Sequence, residues 1–162
     1  MSATGFLNSF GCMPEEEDFM KEQPKYGTGI KYRSGYEHQL ADTFTIKLPS
    51  NPVTQFAGEW LSIDINGILT IKRGYCWDGA SGPTWDTRNC KKPSLVHDAL
   101  YQLMRMEVLP RGYRKHADKL FYDMLRDNGM WWIRARTWYR SVRVGAMSAA
   151  DPKSLKKIYT AP

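Results

Sequence analysis

The sequence predicts an α+β domain: a small antiparallel sheet of about four strands, followed by three helices. Two observations carry this. Apolar and polar residues alternate in the first half, and apolar residues recur at helical spacing from Leu95 onward. Strands are expected at about 28–33, 40–48, 58–65 and 67–73, from runs such as Phe44-Thr45-Ile46-Lys47-Leu48 and Trp60-Leu61-Ser62-Ile63-Asp64-Ile65. Asn66-Gly67 between the last two reads as a two-residue type I′ hairpin turn. Residues 74–93, rich in Gly, Pro and Asp, read as an irregular loop.

The first helix is expected over roughly 94–106 with Ser94 as its N-cap. The second spans roughly 111–128, with an apolar face of Ala117, Leu120, Phe121, Met124 and Leu125, and ends at Asn128-Gly129. The third spans roughly 130–147, with one stripe of Trp131, Ala135, Trp138, Val142 and Gly145 and another of arginines. One domain over 28–147 is therefore flanked by an N-terminal arm, 1–27, and a basic C-terminal tail, 148–162.

The 162 residues suffice for one core without staples, and 42% hydrophobic with 13% aromatic residues excludes a disordered chain. The cysteines, Cys12, Cys76 and Cys90, form no disulfide pattern, which points to a reducing compartment such as bacterial cytoplasm. No stretch approaches the ~18 apolar residues of a membrane span, and no signal peptide is recognisable. The net charge of +6 is uneven. From Arg111 onward twelve Lys or Arg face only Asp118, Asp123, Asp127 and Asp151, so the C-terminal third suits an anionic surface, nucleic acid or an acidic partner.

The most informative residues are His97 and Asp98, adjacent in an apolar helical stretch, with Tyr101 one turn on and Asp118 on the next helix. In a helix His97 and Tyr101 share a face, while Asp98 points about 100° round. If the two helices are antiparallel neighbours, Asp118 can accept a hydrogen bond from one nitrogen of His97, leaving the other to activate water. Asp98 would then face the loop Asp78-Gly79-Ala80-Ser81-Gly82-Pro83, where carboxylates and carbonyls could hold Ca2+; Asp98 and Asp78 are the metal candidates, with Ser81 and Asp86 as further ligands. The same cluster can instead be a buried polar latch without chemistry. Zinc at Cys76, Cys90 and His97 lacks ligand spacing, and a Cys–His nucleophile pair competes with incidental thiols. His38 and His116 have no partner nameable from sequence. Arg134, Arg136, Arg140 and Arg143, beside Trp131, Trp132, Trp138 and Tyr139, are the candidates for an anionic membrane or partner, or simply a solvated face. For nucleic acid only charge and aromatics speak.

His-Asp-x-x-Tyr on one helix and Ala-Asp-x-x-Phe on the next resemble phospholipase A2 enzymes, including bacterial and parvoviral forms. The resemblance spans Ser94 to Arg126, with Pro93 and Ser94 where secreted forms have cysteines. It implies His97 as the base for water, Asp98 as a calcium ligand, and Tyr101 with Asp118 as supporting partners. A longer resemblance covers roughly residues 40–146. The order Gly74-Tyr75-Cys76-Trp77-Asp78-Gly79-Ala80-Ser81-Gly82-Pro83, then Leu95-Val96-His97-Asp98-Ala99-Leu100-Tyr101, then Arg114-Lys115-His116-Ala117-Asp118 is similar to an uncharacterised family encoded by tailed phages and prophages. It implies a phage origin and no particular activity. The expectation is a virion-associated tail or baseplate protein, made in the host cytoplasm, that binds other virion proteins through its arms. The alternative is a calcium-dependent phospholipase A2-like or other envelope hydrolase.

Overall fold

Seven short strands, three helices and two 3-10 turns make up the computed structural model, which describes residues 25–26, 32–33, 38–52, 54–79, 87–145 and 148–154. The strands are β1 (Tyr32–Arg33), β2 (His38–Leu40), β3 (Phe44–Lys47), β4 (Phe56–Ala57), β5 (Leu61–Ile63), β6 (Ile68–Ile71) and β7 (Cys76–Trp77). The helices are α1 (Arg88–Arg105), α2 (Arg114–Asp127) and α3 (Trp132–Gly145). The architecture is α+β, with every described strand pair antiparallel.

The strands divide between two sheets, ordered β1-β2-β7 and β3-β6-β5-β4. The run expected as one strand over 40–48 is broken because its two halves have different partners. Leu40 exchanges hydrogen bonds with Gly74 and Tyr75, whereas Phe44 to Lys47 pair with Ile71 to Ile68. Along the second sheet the alternation holds: Phe44, Ile46, Leu61, Ile63, Leu69 and Ile71 are buried. The β5–β6 turn is not type I′, since Gly67 takes a positive φ of 73° and Asn66 does not. Asp64 sets this turn instead: its carboxylate accepts from the amides of Asn66 (2.9 Å) and Ile68 (2.7 Å).

α1 begins at Arg88, six residues before the expected start, and Ser94 lies inside it. Thr87 occupies the N-cap position without a capping side-chain bond. Pro93 inside α1 cannot donate to the carbonyl of Asn89 four residues back. The Asn128 side-chain amide supplies the missing bond to that carbonyl (3.0 Å), and the Asn89 amide donates to the Asn128 carbonyl (3.1 Å). This reciprocal clamp joins the start of α1 to the end of α2. At that end Gly129 (φ 78°) and Met130 donate back to Arg126 and Leu125, the expected left-handed C-cap.

α1 is the central helix. It buries Leu95, Val96, Ala99, Leu100, Leu103 and Met104 between both sheets and α2. A second apolar cluster, Cys90, Phe121, Leu125, Met130, Ala135 and Trp138, seats α3. α3 itself buries only Ala135 and Trp138, so it is held by less apolar area than α1. Beyond α3, Ala150 is buried in the main core and Asp151 pairs with Arg111 at 2.7 Å, so residues 148–154 pack on the domain. The rest of the expected tail and nearly all of the expected arm lie outside the described residues.

Candidate functional site

The i, i+4 spacing on α1 brings His97 and Tyr101 onto one face, their rings 4.2 Å apart between centroids. α2 lies against that face and presents Asp118. The Asp118 Oδ1 sits 2.9 Å from His97 Nε2 and accepts the Tyr101 hydroxyl at 2.7 Å. Phe121, one turn beyond Asp118, packs its ring 5.0 Å from that of His97 and closes the apolar side. The three residues expected to meet therefore do.

Arg143, a candidate for the anionic-surface group, lies here instead. Its guanidinium donates to Asp118 Oδ2 at 2.7 Å, while the Arg114 guanidinium donates to the Arg143 carbonyl at 3.2 Å. Of the other three arginines, Arg136 and Arg140 are exposed and Arg134 is half-buried. Arg143 lies well round α3 from Ala135 and Trp138, so the periodicity gave no signal of its role.

Asp118 is fully buried yet carries a carboxyl held below the ordinary carboxylate range. Burial alone would raise it, but the bonds from His97, Arg143 and Tyr101 outweigh burial. An ionised Asp118 requires His97 to present Nε2 as N–H, because a bare ring nitrogen would repel the carboxylate. His97, with 8% of its side chain exposed, is shifted above the ordinary histidine value. Burial opposes that shift, and the hydrogen bond to Asp118 together with the nearby negative charge of Asp98 overcomes it. The Tyr101 hydroxyl is pushed well up, by burial first and then by Asp118, so it stays a donor.

The other ring nitrogen, Nδ1, faces Asp98 Oδ1 at 3.9 Å, wider than a direct hydrogen bond. Asp98 keeps 32% of its side chain exposed. Its carboxyl is pushed up, chiefly by burial, against the pull of His97 and with added repulsion from Asp78. Asp78 is exposed and close enough to be felt, but Ser81 and Asp86 lie outside the described residues. Calcium takes six to eight oxygens, and among the described residues no group of three or more His, Cys, Asp or Glu is arranged to hold a metal. The described residues thus fall short of the calcium shell that the phospholipase resemblance implies.

The described thiols stand elsewhere, and Cys12 lies outside the described residues. Cys76 is exposed on β7, and Cys90 is buried in the cluster under α3. His38 Nε2 lies 2.6 Å from Lys91 Nζ, and His116 lies against Tyr113. Two further bonds tie α1 to the strand region: Trp77 to Ser94 (3.1 Å) and Tyr75 to Gln102 (2.9 Å). No helix among the described residues is long and apolar enough to cross a membrane.

No curated protein and no solved structure matches the chain. A family profile matches residues 59–142, which takes in His97, Asp98, Tyr101 and Asp118 and stops just before Arg143. That is 84 of 162 residues, more than half, so the chain belongs to the family described as Protein of unknown function (DUF1353).

Proposed function

We propose that the chain is a hydrolase in which His97 activates water, with a phospholipid ester of the bacterial envelope as its substrate class. The observation that carries this is the 2.9 Å pairing of His97 Nε2 with the buried Asp118 carboxylate. That pairing fixes the tautomer and leaves Nδ1 as the basic nitrogen beside a partly exposed carboxylate. Asp118, kept ionised by Arg143 and Tyr101, would stabilise the imidazolium formed when Nδ1 takes a proton from water. The ester as substrate class comes from the phospholipase A2 resemblance of the two helices.

One observation favours a second reading. Asp118 is enclosed by donors from α1 and α3, and His97 is nearly covered. Such a network can serve as a tie between helices in a tail or baseplate protein, the role that the phage resemblance suggests.

One experiment separates the two: hydrolysis of mixed anionic phospholipid vesicles, with calcium and with chelator, by the full chain and by His97→Ala. Turnover by the wild type that is lost in a still-folded variant supports the hydrolase. No turnover by the wild type under either condition, with a lower melting temperature for the variant, would leave His97 as a structural tie.

A further inference from the structure

We propose that the outer face of α3, together with Trp131 before it, docks on an anionic bilayer surface. Seven large apolar side chains are exposed among the described residues, and four of them are Trp131, Trp132, Ile133 and Val144. The other three, Trp60, Ile65 and Met106, are scattered over other elements. Exposed apolar residues are ordinary singly and informative when they gather. Trp131 is 64% exposed and Val144 80% exposed, at opposite ends of the helix. At 100° per residue, Ile133, Arg136, Arg140 and Val144 fall within an arc of about 80°, opposite the buried Ala135 and Trp138.

Charge settles the kind of partner. Residues 131–145 contain four arginines and no acid. Arg136 and Arg140 are exposed in the same strip as Ile133 and Val144, with Trp131 and Trp132 exposed at its N-terminal end, so the face is complementary to a surface both negative and able to accept apolar groups. An anionic lipid interface has both properties: phosphates meet guanidinium groups, and indoles and aliphatic chains enter the headgroup boundary. Nucleic acid would use the arginines and the tryptophans, but it offers nothing to Ile133 and Val144, so the bilayer is favoured. Thr137 and Ser141 return their hydroxyls to the carbonyls of Ile133 and Thr137. They therefore place little free polar character beside the strip. The inference does not rest on hydrolysis, because the face would dock whether or not His97 turns over a substrate.

The test is cosedimentation of the full chain with vesicles of phosphatidylcholine alone and of phosphatidylcholine with phosphatidylglycerol, at low and high salt. Two surface variants accompany the wild type: Trp131→Ser with Trp132→Ser, and Arg136→Gln with Arg140→Gln, each checked for an unchanged melting temperature. The expected result is binding to the anionic vesicles only, weakened by salt and at least about tenfold weaker in each variant. Absence of binding to anionic vesicles overturns the proposal, as does undiminished binding by both variants. Binding of a short DNA duplex or single strand in place of vesicles, or self-association through this face without vesicle binding, overturns it equally.

Discussion

Arg143 Nη1 lies 2.7 Å from Asp118 Oδ2, the oxygen that His97 and Tyr101 leave free. The weakly seated third helix is thereby fastened to the same carboxylate that orients the histidine. Asp118 thus has two duties: it holds α3 in place, and it sets which nitrogen of His97 carries the proton.

Replacing Asp118 with Asn tests both duties. The change leaves Arg143, 25% exposed, without its counter-charge, and puts a neutral amide where a carboxylate held the imidazolium. The expected loss is about 3 kcal/mol in denaturant melts, since the change weakens the hydrogen bonds of His97, Tyr101 and Arg143 to one buried carboxylate at once. Tyr101→Phe keeps the ring packing and loses only the hydroxyl bond to a charged acceptor, so it should cost less, about 2 kcal/mol. Equal losses in the two variants would contradict this ordering.

The shifted groups give stability a definite pH dependence. His97 binds its proton more tightly in the folded chain than at the unperturbed value of 6.5. Its contribution is therefore fully present below that pH and is lost as pH rises through the higher folded value. Asp118 behaves oppositely: its contribution is present above the ordinary 3.8 and is lost as pH falls through its lower folded value. Urea melts across pH should show a decline on the alkaline side of 6.5 that is absent in His97→Gln. Over the same range the proposed turnover should rise, because Nδ1 must be free of its proton to act as a base. A wild type whose stability is flat there, or falls in parallel with the variant, would remove the shift.

The Asn89–Asn128 clamp predicts a coupling with Pro93. Asn128→Ala leaves the Asn89 carbonyl without its donor, at an expected cost of about 1–2 kcal/mol. In a Pro93→Ala background the helix regains its own N–H for that carbonyl, and the cost of Asn128→Ala should fall by about half or more. A double-mutant cycle with no interaction energy would show that the clamp does not compensate for the proline.

These residues also show what a single sequence reveals and what it hides. His97, Tyr101 and Asp118 were legible because local rules place them: an i, i+4 pair on one helix, and a carboxylate at the edge of an apolar stripe on the next. The end of α2 was legible from Asn128-Gly129 for the same reason. The start of α1 was hidden because Pro93 reads as a break, and the bond that repairs it comes from 39 residues away. The division into two sheets was hidden because the partners of Leu40 and Phe44 lie about thirty residues on, beyond any local pattern. Arg143 was hidden because its place at Asp118 depends on how α3 seats on Trp138 and Ala135, which the repeat along α3 does not specify.

Asp118 commits Nε2 of His97 to a hydrogen bond and leaves Nδ1 as its basic nitrogen. The most direct test is a nitrogen NMR titration of the His97 ring in the full chain. The expected result is a neutral form protonated at Nε2 with Nδ1 bare, and a midpoint above 6.5. A neutral form protonated at Nδ1, or a midpoint at or below 6.5, would contradict it.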